Sequence, residues 1–174
     1  MSLLIGSFLI RQERGHIKME KAMVKWFEND ELAIFFSEIP RVCVRYIIPS
    51  TTEEEAESIK RYPFLNKKTL HVAIFDHIKK KTYKFDIPKG YCYDGATIPR
   101  FFWRIIGSNT DNTFLIPALV HDVLCENHDY IDNDRELSSK VFDALLEAGE
   151  VGKFKRFLMK NSVDLFQRFC AWED

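Results

Sequence analysis

The chain has little cysteine, glycine or proline and no excess of either charge. In 174 residues there are four cysteines, seven glycines and six prolines. Cys43, Cys92, Cys125 and Cys170 are scattered, with no C-x-x-C pair among them. That excludes a zinc-finger reading and a disulfide-dense scaffold, and the four read as reduced, mostly buried thiols. Long apolar runs are absent too. The opening stretch Leu3–Ile10 has no basic segment before it and no small-residue cleavage site after it, and it falls well short of the roughly 20 residues a spanning helix needs. A cytoplasmic protein without a transmembrane segment is therefore expected. Lys and Arg number 25 against 26 Asp and Glu, a formal net charge of −1. No global field draws such a chain to nucleic acid, so no nucleic-acid partner is expected, and only a local basic patch could attract an anionic surface. Internal repeats and low-complexity segments are missing as well.

What is abundant is apolar bulk. Hydrophobic residues make up 46% of the chain, and fifteen Phe against three Trp and six Tyr point to core building rather than ligand stacking. Residues 1–22 read as a leader or upstream-start arm, since Met19 and Met23 are both plausible initiators. Residues 23–174 read as one α+β domain.

Trp26–Phe36 is a mixed apolar and acidic stretch. Val42–Ile48 has the β-branched density of a strand, closed by Pro49. Thr51–Arg61 begins with a hydroxyl and carries carboxylates in its first turn, as a short exposed helix would, and Pro63 stops it. Thr69–Asp76 and Lys81–Ile87 alternate around the short His77–Lys80, which predicts a β-hairpin. His71 and His77 read as ordinary strand or turn residues. From Pro88 the character changes to loops and helices: a loop bracketed by Gly90 and Gly95, a helix over Arg100–Ile106 begun by Pro99, and a helix over Phe114–Glu126 with Pro117 in its first turn. Asp132 or Asn133 caps the next helix, Arg135–Ala148, ended by Gly149. A last helix over 152–172 repeats Phe154, Phe157, Leu158, Leu165, Phe166, Phe169 and Trp172 at helical spacing, which reads as core packing. The plan is strands first, then a helical half.

Chemistry, if present, concentrates in residues 88–126. On a helix His121 and Asp122 point about 100° apart, so they serve adjoining tasks rather than one hydrogen-bonded dyad. A neutral imidazole suits the removal of a proton from water. A lone carboxylate beside it suits a hard cation such as Ca²⁺, to which Asp94 and the carbonyls of the Gly95 loop could add oxygens. The plainer alternative is that His121 and Asp122 bond neighbouring backbone and that Asp94 closes the turn before Gly95. Arg100 divides the same way, between an anion-binding residue and a structural partner for Asp94 or Asp122. His128, Asp129 and Asp132 are either metal donors or a plain turn.

Two resemblances follow from these residues. The string Tyr93-Asp94-Gly95-Ala96-Thr97-Ile98-Pro99-Arg100, then Phe102-Trp103, Pro117-Ala118, His121-Asp122 and an Arg135-led helix containing Phe142, resembles a family of uncharacterised bacterial and tailed-phage proteins. It covers about residues 70–150 and implies a domain of unknown function with a phage or self-assembly partner. More loosely, the loop and the His-Asp helix look like the bacterial branch of the phospholipase A2 superfamily. That likeness implies His121 as the water-activating base, Asp122 as calcium ligand, Asp94-Gly95 near the calcium loop, and a lipid or other ester as substrate. Ser139 stands where that superfamily keeps the Asp that orients the histidine, and Asp143, four residues on, is the substitute on the same helix face. Leu124 stands in place of the superfamily's disulfide cysteine, which argues against a secreted, disulfide-braced lipase.

Overall fold

The computed structural model describes residues 7–8, 23–95 and 112–168, and in them two antiparallel sheets precede a layer of helices. The larger sheet sets side by side β1 (Ser7–Phe8), β2 (Met23–Glu28), β3 (Leu32–Phe36), β6 (Leu70–Asp76) and β7 (Lys81–Ile87). The smaller one takes β4 (Val42–Val44), β5 (Phe64–Asn66) and β8 (Cys92–Tyr93). The α+β class expected from the pattern is the class observed.

The hairpin expected around His77–Lys80 is β6 and β7, in register from Leu70 opposite Ile87 to Asp76 opposite Lys81. Its period-2 alternation buries Tyr83, Phe85 and Ile87 and exposes Lys84 and Asp86. The Asp76 carboxylate closes the turn by accepting from the N–H groups of Ile78 and Lys79 at 2.8 Å. The mixed stretch Trp26–Phe36 folds as a second hairpin, β2 on β3, with Asn29 Oδ1 accepting from Glu31 and Leu32 in the turn.

The strand expected over Val42–Ile48 is shorter than that. Only Val42–Val44 pairs with β5, because β5 itself begins just after Pro63, and Tyr46, Ile47 and Ile48 stay exposed. Helix α1 (Glu53–Arg61) is the expected exposed helix, with Thr52 and Glu55 forming a capping box.

The helical layer consists of α2 (Asn112–Glu126), a 3-10 turn over His128–Ile131, α3 (Arg135–Ala148) and α4 (Lys153–Phe166). Helix α2 packs on α3, and α3 on α4. Leu119, Val120, Val123 and Leu124 of α2 are buried on several sides, and α3, in contact with α2, α4 and β2, is the middle helix of the layer. Pro117 lies past the first turn, because α2 already starts at Asn112; its missing N–H removes one intrahelical bond, and the buried turn around it holds the helix through. Gly149 allows a close approach: a Cβ there would come within 3.4 Å of the carbonyl oxygen of Thr113.

Asp134, not Asp132 or Asn133, caps α3, its carboxylate accepting from Leu137 N–H at 2.9 Å. Asp132 and Asn133 have left-handed backbone, φ 55° and 58°, whereas an N-cap wants an extended one. Lys79 and Lys81 of the hairpin pair with Asp134 and Asp132, tying the sheet to the helices. Asp134→Ala is expected to cost about 1 kcal/mol in urea denaturation, mostly from the lost cap.

The core expected of the last helix is only partly there. Met159 is buried and Leu158 and Val163 pack on the core, but Phe154, Phe157 and Leu165 are exposed. A helical period marks a stripe without saying which stripe faces inward. Phe169 and Trp172 lie outside the described residues. Among the described residues no helix is long and apolar enough to cross a membrane.

Candidate functional site

Two tyrosines bring the loop after β7 against α2. Tyr93 is buried and its hydroxyl donates to the carbonyl of Leu115 at 3.0 Å, near the start of α2. The Tyr91 hydroxyl donates to Glu126 at 2.8 Å, at the helix end. Asp94 and Gly95 follow directly, and Gly95 takes φ 87°, a backbone that side-chain-bearing residues rarely adopt. The turn thus delivers Asp94 to the middle of α2.

There Asp94 lies close enough to Asp122 for each carboxyl to act on the other, and a hydrogen bond between two carboxyls requires a proton on one of them. Burial, above all, and then the neighbouring Asp94 and Glu126 push Asp122 well above the usual carboxylate range. Among the described residues no group of three or more His, Cys, Asp and Glu is arranged to hold a metal ion. A cation site built on Asp94 and Asp122 would need backbone oxygens, such as the Gly95 carbonyl, to complete it.

His121 lies a step round the same helix, 7% exposed, its ring centroid 5.2 Å from that of Phe142 on α3. Its two nitrogens meet different surroundings. Nε2 is 2.9 Å from the side-chain amide of Gln167, and Nδ1 is 3.7 Å from Asp122 Oδ1. Gln167 is fully buried: Ser139 Oγ donates to its Oε1 at 2.9 Å, and its Nε2 donates to Ser138 Oγ at 3.0 Å. Cys125, one turn beyond His121, lays its sulfur 3.4 Å from Nε2.

The structure therefore brings together His121, Asp122, Asp94 and Ser139, the last through Gln167. Asp143 goes elsewhere, its carboxylate 3.5 Å from Arg156 Nε on α4. Arg100 and Phe101–Trp103 lie outside the described residues. His128 and Asp129 belong to the 3-10 turn, and Asp132 closes it and pairs with Lys81, so the plain-turn reading describes that segment. His71 pairs across the hairpin with Asp86 at 2.5 Å, and His77 packs on Phe75. Gln167 was missed by sequence reasoning. Its one signal is a polar residue on the Met159, Val163, Gln167 stripe, four residues apart each time, which is the stripe α4 turns inward.

Comparison with known proteins adds family membership. A 43-residue stretch is 42% identical to the uncharacterized protein y4jT of Sinorhizobium fredii (strain NBRC 101917 / NGR234). That stretch covers 25% of this chain and 13% of that protein. No solved structure matches the chain. A family profile matches residues 69–163, a span that holds the hairpin, Asp94, the His121–Asp122 helix, α3 and most of α4. The chain accordingly belongs to the family described as protein of unknown function, DUF1353.

Proposed function

We propose that this chain hydrolyses an ester, with His121 as the base that takes a proton from the attacking water. The observation that carries the reading is the difference between the two imidazole nitrogens: Gln167 at 2.9 Å from Nε2, Asp122 at 3.7 Å from Nδ1. A side-chain amide presents its oxygen or its NH₂ to the same neighbour after a half-turn. With the oxygen toward the ring, Nε2–H donates to Gln167 and the basic lone pair is left on Nδ1, on the Asp122 side. With the NH₂ toward the ring, that group also faces Ser138 and the oxygen faces Ser139; after the half-turn Ser138 donates to the oxygen and Ser139 accepts from the NH₂, since a hydroxyl does either. The likeness to the phospholipase A2 superfamily supports the same assignment, with Gln167 and Ser139 doing together what an orienting carboxylate does there.

The Asp94–Asp122 pair supplies the oxygens for charge control. A hard cation such as Ca²⁺ would be held by both carboxylates and the Gly95 carbonyl, and when bound it polarises the ester carbonyl. Because a cation and a proton compete for the same carboxylate oxygens, and Asp122 holds its proton well above the usual carboxylate range, Ca²⁺ affinity should rise with pH.

A second reading has its own observation. Ser138, Ser139 and Gln167 are at most 2% exposed, as suits a non-catalytic network, in a phage structural or accessory protein, that joins α2 to α3 and α4. Short-chain and lipid esters offered to wild type and His121→Asn separate the two. The hydrolase reading expects turnover that falls by about 10²–10⁴-fold in the variant, together with Ca²⁺ heat in titration calorimetry. A wild type that neither turns over any ester nor binds Ca²⁺ would leave the network reading standing.

A further inference from the structure

We propose that the outer face of α4 docks this protein on an anionic lipid surface. The helix has two opposite faces. Met159, Val163 and Gln167 turn inward, whereas Phe154 and Phe157, each 64% exposed, and Leu165, at 58%, turn outward. At about 100° per residue these three outward side chains fall within a sector of about 80°. On the same wheel Lys153 and Lys160 flank one side of the sector and Lys155 the other. Within the sector Asn161 is the polar residue, its side-chain amide donating to the Phe157 carbonyl at 2.7 Å. A mainly apolar stripe bordered by lysines is the arrangement of a helix lying in a membrane interface, where rings enter the acyl boundary and ammonium groups reach the lipid phosphates.

Charge identifies the occupant. Among the described residues none of these three lysines is in an ion pair, while the acids around the helix are already engaged: Asp143 and Glu147 with Arg156, Asp164 with Arg135 and Arg168. Glu150, at the start of the segment, is outnumbered. The face is thus a local cationic patch on a chain whose net charge is −1. A second copy would set like charges against each other, whereas an anionic bilayer complements them. Beside Phe154 the surface is also recessed. A cavity of about 540 Å³ lies between Thr113–Phe114 at the start of α2 and residues 149–155, with Lys153 and Lys155 on its rim. That volume is within the range that takes a small-molecule ligand, so one lipid headgroup or chain end has a place to enter.

Docking uses neither His121 nor Asp122 and stands apart from the hydrolase reading. If both hold, the ester is one carried by a membrane lipid. The test is co-sedimentation of the full chain with vesicles of phosphatidylcholine containing phosphatidylglycerol, against phosphatidylcholine alone, at low and high salt. Wild type is expected to bind the anionic vesicles, less tightly at high salt, and the neutral ones weakly. The double variant Phe154→Ser, Phe157→Ser should partition about tenfold less or weaker still. Lys153→Glu with Lys155→Glu should abolish the preference for phosphatidylglycerol. All four side chains are exposed, so an unchanged melting curve separates lost docking from lost fold. His121→Asn should bind vesicles like wild type. The proposal is overturned if wild type ignores anionic vesicles, if the Phe variant binds as well as wild type, or if sedimentation shows a dimer that the Phe substitutions split. Esters hydrolysed without vesicle binding would sink docking alone.

Discussion

Asp122→Asn should melt a few degrees above wild type at pH 8 and at the same time lose ester hydrolysis and Ca²⁺ binding. The first half follows from proton linkage. Asp122 has an ordinary carboxyl value near 3.8 when unfolded and a value well above it when folded, because burial and the adjacent Asp94 and Glu126 disfavour its charge. The folded state then holds the proton more tightly than the unfolded one. Its contribution to stability is fully present below the unfolded value and is lost as the pH rises through the folded one. At pH 8 the wild type therefore carries an unfavourable charge on a carboxyl that is only 24% exposed, or shares one proton between two acids. Asn has the same shape, cannot ionise, and keeps an N–H to offer Asp94. Each unit of raised pKa corresponds to about 1.4 kcal/mol, and in a chain of this size about 1 kcal/mol moves the melting temperature by about 2–4 °C. Thermal melts across the acid-to-neutral range should show wild type gaining stability as the pH falls, and a flatter profile for the variant. If Asp122→Asn is instead the less stable protein at pH 8, the carboxylate is ionised against a cationic partner, and the shared-proton account is wrong.

Gln167→Leu is the second large effect. Leucine fills similar space but bonds nothing, and Gln167 is fully buried with hydrogen-bond partners on both sides. Its loss leaves Ser138, Ser139 and His121 Nε2 desolvated with fewer partners, at a cost of about 2–4 kcal/mol. Urea denaturation with an unchanged m-value reads this directly. Hydrolysis should fall as well, since the ring loses the contact that chooses its tautomer, and kcat should fall more than KM rises. A destabilisation under about 0.5 kcal/mol, of the size expected at an ordinary surface position, would mean that the network is not a structural unit.

Much of the fold was legible because its signals are carried by neighbours in the chain. Alternation in Thr69–Asp76 and Lys81–Ile87 announced the hairpin, since successive strand residues face opposite sides. The acidic first turn and Thr52 announced α1. Asp94-Gly95 and His121-Asp122 stood out as residue types, and the positive φ of Gly95 explains one of them. Expectations went astray wherever a partner distant in sequence decided. Val42–Ile48 is β-branched throughout, yet β5 offers it only a three-residue partner. Asp143 has suitable helical spacing to support His121, but Arg156 engages it. Phe154 and Phe157 look like core and are not.

The sequence by itself therefore determined the α+β class, the hairpin, α1, and the residues worth watching between 88 and 126, because backbone propensity and periodicity act over a few residues. Only the tertiary structure decided that Gln167 is 2.9 Å from His121, 46 positions away, that Asp94 sits beside Asp122, and which face of α4 meets the core. Those are contacts between elements, set by how the helices and the β8 loop pack together, and no local pattern encodes them.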